Sequence, residues 1–354
     1  MPRTVISIEG DRFFINGVPT YEGRSWNECR VEGLLFNSRM ANAIADDDNP
    51  STCGSWAYAD GPWDAARNTR EFCSALPDYL RHGMLGVCLN LQGGSPYGYS
   101  WNQPWVISGF AADGTLKPKW AERLAQVIDA TDALGMVVVL GLFYGSASRH
   151  LRDEAAVLHA VDQTVDWLTK RGDTNVLIEV GNEIDWPVFH HPIIQAPRCP
   201  ELMERVKERS DGRLKTPAGR LLVSASLLDP RQIAHNVVGA SDFLLPHGNH
   251  VNGPQGREQQ SPDGIRLQLA LLRSSSGYRG QPILYNEDDH FDFEKNENHM
   301  LAALEGYAGW GLFDYRKTRE KFQDGFQSLP VDWTISSERK RGFFNLLKKV
   351  TSIS

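Results

Sequence analysis

A chain of 354 residues is longer than one ordinary domain, but a single α/β barrel takes ~250 residues or more, so the length admits one large folding unit. With 41% hydrophobic and 23% charged residues it falls outside the disordered classes, and a net charge of -7 without a basic patch excludes a polyanionic partner such as nucleic acid. The five cysteines, Cys29, Cys53, Cys73, Cys88 and Cys199, are odd in number and contain no CxxC pair, which argues for buried free thiols over a disulfide framework or a zinc knuckle.

From the first residue the chain enters strand-like alternation without an apolar leader, and no run approaches the ~18 apolar residues of a membrane span. The expectation is a soluble, cytoplasmic protein with no membrane partner, or a secreted one if a signal peptide has been removed. Val5 to Ser7 and Arg12 to Ile15 alternate as strands, and Asn16-Gly17 is a hairpin signal because both residues tolerate φ > 0. This lead-in, residues 1–32, is expected to plug the base of a barrel formed by residues 33–354.

From Gly33 onward short apolar runs alternate with amphipathic stretches, the pattern of repeated βα units. The candidate strands are Leu34 to Ser38, Leu85 to Leu91, Met136 to Phe143, Asn175 to Val180, Leu221 to Ser226, Phe243 to Pro246, Pro282 to Tyr285 and Gly309 to Phe313. Helical periodicity follows each, near 65–82, from Trp120, at 153–171, and near 200–210, 231–239, 264–275, 296–308 and 337–350. The stretch from Asp153 to Arg171 puts Val157, Val161, Val165 and Leu168 on one face, and Gly135 and Gly172 stand where C-caps belong. Eight strands and eight helices predict an α/β fold, a single (β/α)8 barrel with no linker to divide it. Two long loops, 39–64 and 92–118, follow strand ends and are rich in Gly, Pro, Trp and Tyr. They suit either a carbohydrate cleft or a hydrophobic lid on the C-terminal face, and Trp101 with Tyr97, Tyr99 and Trp105 crowds the second of them.

The fourth strand delivers Asn182-Glu183 at its end and the seventh delivers Asn286-Glu287, so both glutamates enter the same mouth from opposite sides of the ring. Two carboxylates facing across a sugar are what glycoside hydrolysis needs: one attacks the anomeric carbon while the other protonates the leaving oxygen at ~5 Å separation, whereas ~6.5–9.5 Å admits water and inverts. Asn-Glu also occurs at 27–28 and 296–297, so position rather than the dipeptide carries the signal. Asn182 can donate to a sugar 2-hydroxyl or simply end a strand as a turn residue.

Gly181-Asn182-Glu183 after the fourth strand, Glu287 after the seventh, a histidine-bearing sixth strand and Trp310 on the eighth resemble clan A of the retaining glycoside hydrolases, and within it the cellulase-like family 5. The resemblance covers nearly the whole chain in element order, with its motifs confined to these positions. It implies that Glu183 is the acid/base and Glu287 the nucleophile, acting on a carbohydrate without cofactor or metal. His247, in His247-Gly248-Asn249-His250, matches the strand-six position that bonds near the nucleophile; the other reading is a histidine satisfied by a loop carbonyl. Trp310 reads either as a sugar platform or as core. The family's arginine on strand two is replaced by Asn90 and Gln92, and its histidine pair after strand three by Phe143-Tyr144, so substrate contacts from Asn90, Gln92 and Tyr144 should differ from those of a plain cellulase. Arg39, after strand one, is the candidate substitute cation near the nucleophile, or else a structural ion-pair partner.

Two other classes are open. Asp288-Asp289-His290, His247, His250 and His190-His191 offer ligands for a metal-dependent hydrolase, although neither an HxH after strand one nor a helical HExxH is present. A non-catalytic carbohydrate-binding barrel is the second, since fold does not fix function. Oligomeric state, sugar and linkage are not encoded in any motif.

Overall fold

The computed structural model of the chain describes residues 4–94, 96–97, 102–228, 233–249, 261–317 and 319–352. Its sheet is parallel apart from small antiparallel pairs near the N-terminus and isolated bridges in the loops. Gly86–Asn90 pairs with Val137–Tyr144, Val137–Tyr144 with Val176–Asn182, and Val176–Asn182 with Leu222–Ser224. The fifth strand breaks at Ala225 and resumes as Ser226–Leu227, which pairs with Leu245–Pro246. At the other edge Gly311–Leu312 pairs with Asn37–Ser38, and Arg39 bridges to Cys88 on the second strand. The third and fourth strands, VVVLGLFY and VLIEVGN, are buried almost throughout, as expected for a parallel sheet covered on both faces.

Several strands are shorter than their apolar runs. The first is reduced to Asn37–Ser38, the sixth to Leu245–Pro246 and the eighth to Gly311–Leu312. The seventh, expected at 282–285, makes only single bridges, and their spacing explains why. Between Leu244↔Ile283 and His247↔Glu287 the sixth segment advances three residues while the seventh advances four. Against the eighth, Leu284↔Gly309 and Asp288↔Leu312 have the same mismatch. One extra residue in the seventh segment is a bulge against both neighbours, and a bulge re-aims the side chains that follow it. Those side chains include Glu287.

The helices are α1 (Ala65–Arg81), α2 (Pro118–Leu134), α3 (Glu154–Arg171), α4 (Cys199–Ser210), α5 (His235–Ala240), α6 (Pro262–Ser274), α7 (His299–Glu305) and α8 (Glu338–Thr351). Each falls after the strand that the sequence pattern assigned it. Asp64, Asp153, Asn298 and Ser337 cap α1, α3, α7 and α8 by accepting from a backbone N–H three residues on, and Gly135 and Gly172 end α2 and α3 in the left-handed region. α3 buries Val157, Val161, Val165 and Leu168, the face its spacing predicts.

The lead-in is a three-stranded meander. Ile6–Glu9 turns at Gly10-Asp11 into Arg12–Ile15, and Asn16-Gly17, at φ 55° and 79°, turns it again into Val18–Pro19. Ile6 and Phe13 pack with Leu35, Cys88, Val139 and Leu177, residues of the first four strand segments, and the Ile6 N–H donates to Thr174 O at the start of the fourth strand. The meander thus seals the N-terminal ends of the strands. Trp56 of the first long loop meets Trp105 of the second edge to face, and within the first Tyr58 stacks on Trp63. For these four residues the lid reading holds. Cys88 and Cys199 are buried, but Cys29, Cys53 and Cys73 are only partly so, a correction to the expectation of five buried thiols. No helix among the described residues is long and apolar enough to cross a membrane.

Candidate active site

Glu183 and Glu287 converge. One carboxylate oxygen of each and a ring nitrogen of His247 lie within 4.8 Å of one another. Two features aim Glu183. It adopts φ 57°, which costs an L-residue about 1–2 kcal/mol. Its N–H donates to Ser226 Oγ at 2.9 Å and the next N–H to Ser226 O at 3.1 Å, so the end of the fifth strand holds the strained residue in place. Glu287 follows the bulge in the seventh segment.

Around Glu287 the charges are dense. Arg39 is 1% exposed and contacts three groups: Glu179 at 2.6 Å, Glu287 at 3.4 Å through Nε, and Asn182 Oδ1 through Nη2. His247 Nδ1 lies 3.0 Å from Glu183 and 3.8 Å from Glu287. Asn249 Nδ2 donates to Glu287 Oε1 at 2.9 Å, and Asn286 Nδ2 donates to Glu179 Oε1 at 3.3 Å. Three carboxylates therefore meet one guanidinium and one imidazole. Burial first, then the facing Glu183 and Glu179 charges, push Glu287 up to about 7 against the pull of His247 and Arg39. Burial opposes charge on His247, but Glu287 and the bond to Glu183 outweigh it and raise its value.

Asn182 ends the fourth strand beside Tyr144, its register partner on the third, and Tyr144 is half-buried. Because Arg39 donates to Asn182 Oδ1, the amide nitrogen is the side left to donate to a ligand. Asn90 lies deeper, against Gly141. A Cβ at position 141 would stand 2.4 Å from Asn90 Oδ1 and 3.2 Å from Glu179 Oε2, so only glycine fits between these polar groups. Among the described residues both amide atoms of Asn90 and His247 Nε2 are buried without a protein hydrogen-bond partner, as groups reserved for hydroxyls or ordered water are.

Two expected ligand contacts are corrected. Trp310 is fully buried, its indole N–H donates to Asp288 at 3.0 Å, and its ring packs against Phe293 and Phe343 of α8. It is core, not a sugar platform. Gln92 is buried with its amide consumed: Nε2 donates to Ser108 Oγ and Ala147 O, while Oε1 accepts the Tyr144 N–H. It holds the loops after the second and third strands together. Trp101, Tyr99 and His250 lie outside the described residues. Sequence reading passed over Glu179, although a glutamate inside the apolar run VLIEV was a visible signal. Asn249 and Asn286 carried no comparable mark.

A second trio, Asp288, His290 and His299, also has the spacing of ligands to an ion. Its geometry is that of a hydrogen-bonded anchor. His290 Nδ1 is 2.6 Å and His299 Nδ1 2.8 Å from the Asp288 carboxylate, and the two rings stack at 3.6 Å. A metal is bound along an imidazole lone pair in the ring plane, and stacked rings do not direct two such lone pairs to one point. Burial alone would raise Asp288, but the charges and hydrogen bonds of His299 and His290 hold it well below the usual carboxylate range. At the first trio an added cation would face the Arg39 guanidinium already 3.4 Å from Glu287. His191 bonds Leu151 O, a structural contact.

No protein-family profile matches the chain, and no curated protein matches it in sequence. Its fold is similar to that of solved family 5 glycoside hydrolases. A family 5, subfamily 4 broad-specificity endoglucanase from Bacteroides salanitronis aligns at TM-score 0.57 and 11% identity, covering 91% of this chain and 94% of that one. A beta-mannanase from the blue mussel Mytilus edulis aligns at TM-score 0.54 and 12% identity over 99% of this chain and 97% of its own. A family 5 mannosidase from Rhizomucor miehei gives TM-score 0.54 at 13% identity, covering 99% and 98%.

Proposed function

We propose that the chain is a retaining glycoside hydrolase built as one (β/α)8 barrel domain over residues 1–354. Glu287 attacks the anomeric carbon to form a glycosyl-enzyme, and Glu183 protonates the leaving oxygen and then activates water. The approach of one oxygen of each carboxylate to within 4.8 Å of the other supports this reading, since it is compatible with the ~5 Å spacing of retaining pairs and shorter than the ~6.5–9.5 Å gap of inverting ones. Asn182, its amide turned by Arg39, donates to the sugar 2-hydroxyl, and Asn90 and Tyr144 contribute to the same subsite. Arg39 and Asn249 hold the attacking carboxylate, and His247 bonds Glu183 while standing 3.8 Å from Glu287.

The names of the structural neighbours make gluco- and manno-oligosaccharides the first substrates to offer. The test is the configuration of the first product released from β-cellobiosyl or β-mannobiosyl fluoride, followed by NMR. Retention is expected; an inverted product overturns the mechanism, and binding without turnover across the panel returns the reading to a non-catalytic barrel. Activity lost on dialysis against a chelator would favour a metal-dependent hydrolase instead.

The pH profile gives a further expectation. Glu287 must be ionised to attack, and its position near 7 means that the ionised form is lost as pH falls below that value. On the fluorides, kcat/KM should drop about tenfold per pH unit below about 7. A limb that stays at pH 4–5 contradicts the charge balance described here.

A further inference from the structure

Trp186 stands out among the exposed large side chains, at 39% exposure, because the loop that carries it is not mobile surface. Its N–H donates to Glu183 O at 3.0 Å, closing a four-residue turn that keeps the two Cα atoms within roughly 7 Å. The Asp185 carboxylate accepts the Leu228 N–H at 2.9 and 3.1 Å, which ties the turn to the end of the fifth strand. On the far side the His190 N–H donates to Ser148 Oγ at 2.9 Å, and Val188 packs so closely on Gly145 that a Cβ there would stand 2.5 Å from it. A loop pinned at both ends thus presents an indole to solvent, and among the described residues that side chain has neither a hydrogen-bond nor a ring partner.

We infer that Trp186 is the platform for the sugar ring on the leaving-group side of the scissile bond. The inference rests on the assignment of Glu183 as the acid. The acid protonates the departing oxygen, so the departing sugar lies next to it, and the turn closed between Glu183 and Trp186 carries an exposed indole on the acid's own loop. A pyranose presents a flat face of C–H groups, which an aromatic face covers with little ordering cost because Trp has only two side-chain torsions.

The experiment compares two leaving groups. β-Cellobiosyl and β-mannobiosyl fluorides expel an ion too small to use the platform, whereas cellotetraose and mannotetraose expel a sugar. Trp186→Ala should lose roughly tenfold or more in kcat/KM on the tetraoses, the worth of about 60 Å² of apolar surface kept from water. On the fluorides it should stay within about twofold of the parent, and Trp186→Phe should recover most of the tetraose activity. Equal loss on both substrate types, or no loss on the tetraoses, overturns the platform and leaves the glycosidase reading intact. Failure of the parent protein to cleave any of the four removes both.

Discussion

Glu287→Ala is expected to abolish turnover of glycosyl fluorides and oligosaccharides alike, by roughly 10⁵-fold in kcat, the scale reached when a covalent nucleophile is removed from a preorganised site. The loss should not depend on the leaving group, because the missing bond is the one to the anomeric carbon. Arg39, His247 and Asn249 border this carboxylate, so its truncation leaves a hollow lined by a guanidinium, an imidazole and an amide donor. Added azide should therefore restore activity on the fluorides and yield a glycosyl azide of inverted configuration. That rescue separates lost chemistry from lost folding. A variant that retains substantial activity, or an azide product with retained configuration, assigns the nucleophile elsewhere.

The convergence of Glu183 and Glu287 was legible because each stands at the end of an apolar run, and parallel strands deliver their ends to one face. The segments themselves were visible by their hydrophobicity, but their lengths were not, since pairing depends on neighbours far away in sequence. The bulge at 284–287 is the clearest case. Pro-Ile-Leu-Tyr reads as an ordinary strand, and only the registers of the sixth and eighth segments reveal the extra residue. Trp310 failed for a related reason: which face of a short, irregular strand points inward cannot be read where alternation lasts two residues. Arg39 was noticed as a cation, while its three-way contact joins residues 140 or more positions apart. Asp288 likewise gathers partners from α7 and the eighth strand.

Arg39→Met should have the largest effect on stability. Arg39 and Glu179 are 1% and 0% exposed, and removing one member of a buried pair leaves the other charge without compensation, at a cost of about 3–5 kcal/mol. The penalty should depend on pH. In the folded variant Glu287 keeps the push of burial and of Glu183 and Glu179 but loses the pull of Arg39, so its value rises from about 7. A carboxyl raised in the folded state contributes stability that is fully present below its unfolded value, near 4.5, and lost as pH rises through the folded one. Urea unfolding should thus show a deficit against the parent that is smaller at pH 5 and grows as pH rises past about 7. The residual activity should follow the same proton: its acidic limb moves to higher pH, because the attacking anion now forms later. A deficit that is constant with pH, or a limb that stays near 7, would show that the guanidinium serves packing and not the charge of Glu287.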